Sequence, residues 1–505
     1  MKKNGYDICV NPEEIISPLP PRRVPFAPEV EEEQQNPSVT TEVTPEIQDP
    51  SPLISSGSND VAKPKKNFKK IGIIAGIAIA ALIIIILIVK ALTGTKTSKV
   101  VTLNYWGLWE EESVMNGIIA EYEAKTPNVK IIYKRNQISD YETRLKNRLA
   151  KTGTVTTDVP DIFRIHNSWI PMFNDNLAPV PAETVTTLSL ANDFFDNYKK
   201  DLKVNENYMG IPLMYDGLAL FYNKDLLSAA GVDVPKSWWD LETAANKITK
   251  KSAEGKIEIA GAALGLVDNV DHWSDIVGLM MKQNGVNLNN LDTANLKKVN
   301  DVLTFYTLFN TKDKMWDATL PNSTQMFASG KLAFYFGPSW RIFNLQDLNP
   351  NLNFGVAAAP QLPTSDNKLT NINWSTYWFE GVNKDSKNQA EAWKFLEFLA
   401  SKEGLEKTYQ ADSLIRPFGQ IYPRKSMADK IITNEKIKPF IDMADSSNGG
   451  YLSSFTDAGG VNANMIKYFG DAVNGLVTNS SNSEEIMTTL QSGINQTKQK
   501  YKLTF

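Results

Sequence analysis

Hydrophobic and polar positions divide the chain near residue 100. Beyond that point the spacing of apolar residues switches back and forth between a period of about two and one of about 3.6. Val100 to Trp106 alternates as a strand, and Glu111 to Lys125 repeats apolar positions at helical spacing and stops before Pro127. Lys130 to Lys134 alternates again, Tyr141 to Ala150 returns to helical spacing, and Ile162 to Ile165 is a short apolar run that reads as a third strand. Ser237-Trp-Trp-Asp240 predicts a capping box, in which serine and aspartate each satisfy an amide of the first turn, opening a helix to about Lys250. Gln389 to Ala400 predicts another helix. Strands alternating with helices predict an α/β domain with a parallel sheet covered on both faces.

The first 100 residues follow a different pattern. Residues 1–70 hold 11 of the 26 prolines and the run Glu31, Glu32, Glu33, without periodic apolar positions. Such a Pro/Glu-rich tail buries too little surface to offset its chain entropy and is expected to be disordered. Within it, PLPPRR at Pro18 to Arg23 fits a polyproline II docking motif, but the pattern is short and common in proline-rich tails, and a stiff solvated linker is the preferred reading. From Ile71 to Val89 all nineteen residues are apolar or glycine, about 28 Å of helix and close to the hydrocarbon thickness of a bilayer. Lysines are denser before this run than after it, which predicts a cytoplasmic N-terminus. The expected organisation is a tail over 1–70, an uncleaved signal anchor over 71–92, a linker over 93–99 and a globular domain over 100–505, with cleavage near Ala91 to Gly94 as the alternative.

Composition removes several function classes. The 505 residues suffice for a large core, and 53 Lys plus Arg against 57 Asp plus Glu leave a net charge of -4 with no basic block to track a phosphate backbone. Nucleic acid is excluded as a partner on that ground. His166, His272 and Cys9 are the whole inventory of histidine and cysteine, so haem ligation, iron-sulfur clusters, His/Cys zinc sites and internal disulfides lack their ligands. No metal or other cofactor is implied.

The globular region carries ordered motifs: VTLNYWGLWEEE at Val101 to Glu112, VPDIF at Val159 to Phe163, GIPLMYDGLALFYNKDLLSAAG at Gly210 to Gly231, VPKSWWDL at Val234 to Leu241 and MFASGKLAFYFGPSW at Met326 to Trp340. FGVAAAP and AWKFLEFLAS follow in order. This series resembles the extracellular solute-binding proteins of ABC importers, in particular the maltose-binding-protein-like group that takes sugars and oligosaccharides. The resemblance covers about Val100 to Leu503. It implies an α/β fold of two hinged lobes, the type II periplasmic-binding-protein fold, with lobe 1 at about 100–211 and 334–380 and lobe 2 at about 212–333 and 381–505. It also implies a binding protein rather than an enzyme, with a sugar or oligosaccharide as ligand and ABC permease subunits as partners. The bilayer is a further partner through residues 71–92, which places the protein in a bacterial cell membrane with its binding domain outside.

A sugar presents flat C–H faces and a rim of hydroxyls, so its site needs aromatic platforms beside polar groups that hydrogen-bond. The chain has 11 Trp and 17 Tyr. Trp109, Glu110 and Glu111 stand in the loop after the first strand, where ligands of α/β sheets sit, whereas Trp106 lies in the strand and reads as core. His166 and Asn167 follow the third strand, and Asp216 stands where the resemblance puts an acidic ligand contact. At Asn167 several sugar binders of the family have a carboxylate instead. Trp273, Trp340 and Trp374 sit beside polar residues, and about two of the three are expected at the ligand. Arg341 and Arg416 offer guanidinium forks for an anionic group, or pair with a neighbouring aspartate. Two other functions compete: a glycosidase using Glu110 and Asp216 as its carboxylate pair, and a carbohydrate sensor or adhesin that recruits a partner through PLPPRR.

Overall fold

The strands of the first sheet form where branched and aromatic residues alternate with polar ones. In the computed structural model, which describes residues 100–150, 158–364, 366 and 368–503, the strands β1 (Val101–Gly107), β2 (Val129–Arg135) and β3 (Ile162–His166) pair in parallel. Along β2 the side chains of Val129, Ile131 and Tyr133 are buried and those of Lys130 and Ile132 are exposed, as expected of a strand covered on one face only. All five residues of β3 are buried, which fits its central place. The strands that follow in the chain are β4 (Ile211–Pro212), β5 (Ala219–Asn223), β6 (Ile257–Ala262), β7 (Leu332–Gly337), β8 (Phe354–Ala357) and β9 (Trp378–Val382). The first sheet has the order β2-β1-β3-β9-β4, and the second has β8-β5-β7-β6 followed by the short strand Lys250–Lys251. These two sheets are the centres of two lobes within one compact unit, Thr95–Phe505.

The helices Glu112–Lys125 and Ile138–Leu149 begin and end within three residues of their expected bounds, and Gln389–Ala400 matches in full. The Ser237 hydroxyl accepts from the Asp240 amide at 3.1 Å and the Asp240 carboxylate accepts from the Ser237 amide at 3.0 Å, so the capping box opens the helix Trp238–Ile248 as its sequence predicts.

Two expectations need correction. The sheets are mixed rather than parallel: β9 runs antiparallel to β3 and β4, and β7 runs antiparallel to β5. The lobe boundaries also differ from 334–380 and 381–505. Both β7 and β8 belong to the second sheet, and the chain rejoins the first sheet only at Trp378. The helices Gln389–Ala400 and Lys402–Asp412 then pack on the first lobe, against Ala182–Leu188 and Glu112–Lys125, while Val461–Thr478 and Ser483–Tyr501 pack against Thr293–Thr311 in the second. A fully buried strand such as β7 has the same sequence appearance whichever sheet it completes, so periodicity locates it in the chain and not in a lobe.

The segments that cross between lobes lie side by side. Gly217 bridges Ser375, Tyr215 bridges Ile421, and Asn373–Trp374 runs parallel to Ser447–Asn448. The expected tail over 1–70, anchor over 71–92 and linker over 93–99 lie outside the described residues. Among the described residues no helix is long and apolar enough to cross a membrane.

Candidate functional site

The lobes face each other across a cavity of about 400 Å³, within the range of small-molecule sites. Its walls are loops that follow strands together with the crossing segments. Trp109 comes from the loop after β1, Ser339 and Trp340 from the turn after β7, Asp216 and Thr376 from the crossings, and Arg416 and Phe418 from the loop after helix Lys402–Asp412. Ligands of α/β sheets sit at such strand ends because the backbone there leaves the sheet and frees side chains to converge.

Three large rings at this cavity remain exposed in a protein whose other aromatics are mostly buried: Trp109 at 36%, Trp340 at 37% and Phe455 at 57%. Trp109 is edge-on to Trp378 with ring centres 5.7 Å apart, and Trp340 is edge-on to Phe455 at 6.2 Å. The Arg341 guanidinium lies 4.4 Å from the centre of the Trp340 ring. Its Nε donates to His272 Nε2 at 2.9 Å. Arginine has only donors, so His272 Nε2 is an acceptor and its proton sits on Nδ1, which donates to Ser454 Oγ at 2.9 Å. Burial lowers the pKa of His272, with the nearby Asp275 carboxylate opposing and the Arg341 charge adding to the effect. Arg341 thus braces Trp340 and the Ser454–Phe455 loop from behind.

Two carboxylates line the cavity, Asp216 and Asp275. Asp275 is engaged by the Trp374 indole; Asp216 is the one singled out in the sequence. It accepts from the Ser339 amide and hydroxyl, both at 2.9 Å, and from the Gly217 amide at 2.8 Å. Desolvation outweighs these donors and lifts its pKa from 3.8 to about 7.

Of the residues singled out in the sequence, Trp109, Asp216, Trp340 and Arg416 come together at this cavity. Arg416 pairs with Asp412 and lies over Phe343, its guanidinium 5.7 Å from that ring. The others lie elsewhere. Glu110 is buried in an ion pair with Arg164, and Glu111 is on the surface paired with Arg135. Glu110 and Asp216 therefore share no cavity, and the carboxylate pair of the glycosidase reading is not assembled. His166 is buried behind Trp378, with Nδ1 2.7 Å from Ser168 Oγ and Nε2 2.9 Å from Thr376 Oγ1, and burial pushes its pKa down to about 3. Trp273 packs over Gly470 in the second lobe. Trp374 donates from Nε1 to Asp275 Oδ1 at 2.9 Å, and its ring rests on bare backbone at Gly278 and Gly450, where a Cβ would meet it at 2.5 Å. Asn167 and Trp374 line a second cavity behind the crossing segments.

Sequence reasoning missed His272, Tyr377, Trp378 and Phe455. Trp378 opens a buried strand and looks like core. Phe455 had a usable signal, being one of two large rings, with Tyr451, in the glycine- and serine-rich run from Gly449 to Gly460.

Two α/β lobes, joined by adjacent crossings and facing each other over an aromatic cavity, define the class of two-lobed binding proteins. The chain belongs to the family described as bacterial extracellular solute-binding protein, whose pattern matches residues 117–438. It is 22% identical over 358 residues to the multiple sugar-binding protein of Streptococcus mutans, covering 69% of this chain and 82% of that relative. Among solved structures it is similar to the sugar-binding protein MalE of Xanthomonas citri, with a TM-score of 0.63 at 18% identity over 79% of this chain and 98% of the other. The GacH receptor of Streptomyces glaucescens, solved unliganded and with acarbose, gives a TM-score of 0.58 at 22% identity over 78% of this chain and 98% of the other.

Proposed function

We propose that this protein captures a sugar or oligosaccharide between its lobes and delivers it to an ABC permease. The observation that carries this reading is the set of exposed rings, Trp109, Trp340 and Phe455, arranged around the Asp216 carboxylate in one cavity. Rings of this kind stack on the C–H faces of a pyranose, and Asp216, fixed by Ser339, accepts from a ring hydroxyl or donates to one when protonated. The ligand is neutral at this site, because Arg416 is already paired with Asp412 and Arg341 is spent on His272 and Asp271. The names of the Streptococcus mutans and Xanthomonas citri proteins, both sugar-binding, support the same ligand class.

In this reading the protein acts without catalysis, as its family relatives do. Residues 71–92 anchor it in a bacterial cell membrane with the N-terminus inside and the lobes outside, a placement supported by the apolar run and its flanking lysines. Anchoring raises the concentration of loaded protein at the permease. Calorimetric titration of the purified full chain across a panel of oligosaccharides tests the reading. One sugar is expected to saturate at one per chain and to reduce the radius of gyration measured by small-angle scattering. A panel without any saturating sugar overturns it.

A further inference from the structure

The second interlobe cavity, of about 430 Å³, shares no lining residue with the first. The Trp374 ring and its hydrogen bond to Asp275 form the partition: Trp374 lines the second cavity and Asp275 the first. The first lobe contributes Lys200, Asp201 and Asn167 to its wall, and helix Trp273–Gln283 of the second lobe contributes Lys282.

The charges in this cavity do not cancel. Asp201 Oδ2 accepts from Asn167 Nδ2 at 3.1 Å and from Ser375 Oγ, Tyr377 OH and the Gly449 amide at 3.2 Å each, and Oδ1 also accepts from Gly449 at 3.2 Å. That carboxylate is occupied by neutral donors. Neither Lys200 nor Lys282 makes an ion pair among the described residues, and Lys282 has only the Trp374 ring, 5.8 Å from its Nζ. Burial holds the pKa of Lys282 below the ordinary lysine value, with Asp201 acting in the opposite direction. A half-buried ammonium that makes no ion pair and is offset only in part by Asp201 keeps a residual desolvation cost, which a bound anion removes. Two lysines against one saturated carboxylate leave the cavity with a surplus positive charge and three free donors on Lys282.

We infer that the cavity behind the crossing segments is a second binding site, separate from the sugar cleft, that takes a small oxyanion between Lys282 and Lys200. The anion is a carboxylate or phosphate group, and the apolar wall of Met281, Val286, Leu288 and Leu452 accommodates the body that carries it.

The test is calorimetric titration of the full chain at constant ionic strength with inorganic phosphate and, separately, with D-glucuronate. At least one is expected to bind at one per chain. Its affinity is expected to fall by about tenfold or more in Lys282→Met, the loss of one charge-assisted hydrogen bond, and to fall less in Lys200→Met, where the ammonium is exposed. Trp340→Ala is expected to leave anion binding unchanged while weakening sugar binding, so the two sites fail independently. Circular dichroism and an unchanged oligosaccharide titration establish that Lys282→Met is folded, and Lys282→Gln repeats the measurement with a second side chain. Binding of phosphate alone identifies a phosphorylated solute or free phosphate, and binding of glucuronate alone a sugar acid. The proposal is overturned if neither anion saturates, if either lysine variant at position 282 binds as tightly as the wild type, or if Trp340→Ala abolishes anion binding.

Discussion

Trp109 and Glu110 are neighbours in the chain, yet they serve two regions with opposite chemistry. Trp109 opens onto the cleft, where Asp216 is desolvated and held only by neutral donors from Ser339 and Gly217. Glu110 turns inward to a cluster in the first lobe, where Arg164 Nε donates to Glu380 Oε1 at 2.6 Å, Nη1 pairs with Glu110, and Tyr105 OH donates to Glu380 at 2.7 Å. Both regions bury carboxylates and compensate them differently. In the lobe two carboxylates share one guanidinium, with the Tyr105 hydroxyl as a further donor, and the packing excludes everything else. In the cleft dipoles alone hold the carboxylate, which leaves it near its titration point and available to a hydroxyl.

The largest expected effect breaks the inner cluster. Arg164→Met leaves Glu110 and Glu380 facing each other without a cation and is expected to cost about 3 to 5 kcal/mol in urea unfolding. The reverse pattern is expected of Trp340→Ala: sugar affinity falls by about 2 kcal/mol, the range of an interface hot spot, while the unfolding midpoint stays in place. Calorimetry and denaturation on the same sample check both. If Arg164→Met left stability unchanged, the cluster would not be the electrostatic core described here.

A pH series sharpens the contrast. Asp216 titrates near 7 in the folded chain against 3.8 for the free group, so between these values the folded state holds a proton that the unfolded state has lost. Its contribution to stability is therefore full at acid pH and declines as pH rises from about 4 to 7, with a slope of up to about 1.4 kcal/mol per pH unit. Asp216→Asn is expected to remove that slope, which unfolding at pH 5, 6 and 7 would measure. The smallest effect belongs to Glu111→Ala. It breaks an exposed pair with Arg135 and is expected to cost less than about 0.5 kcal/mol with sugar affinity intact, which a paired melt and titration would check.

Much of the first lobe was legible because β1, β2 and the helices after them carry a one-sided pattern, and such a pattern states both the element and its buried face. The second crossing was not legible. Strand β7 is apolar on both faces, and nothing in its composition says which lobe it completes. The cleft divides in the same way. Trp109, Asp216 and Trp340 stand beyond or between strands, so their place in the chain indicated the ligand side of the sheets rather than their interior. Glu110 differs from Trp109 by one position, and the direction in which a loop residue points is set by a distant partner, here Arg164 in β3. Trp374 lies in the crossing and Trp378, four residues on, opens β9, yet one lines the cavity behind the crossing and the other the cleft.

The position of β9 has a consequence for the order of events as the chain is made. It lies between β3 and β4, and its Glu380 meets Tyr105 across 275 positions of sequence. A chain that emerges N-terminus first completes β1, β2 and β3 early and then holds an unpaired strand edge, with Arg164 lacking one of its carboxylates, until residues 378–382 arrive. Non-local pairing of this kind slows closure and exposes a template for strand addition. A chaperone that covers bare β-edges would have its longest working interval on this protein between the emergence of His166 and that of Trp378.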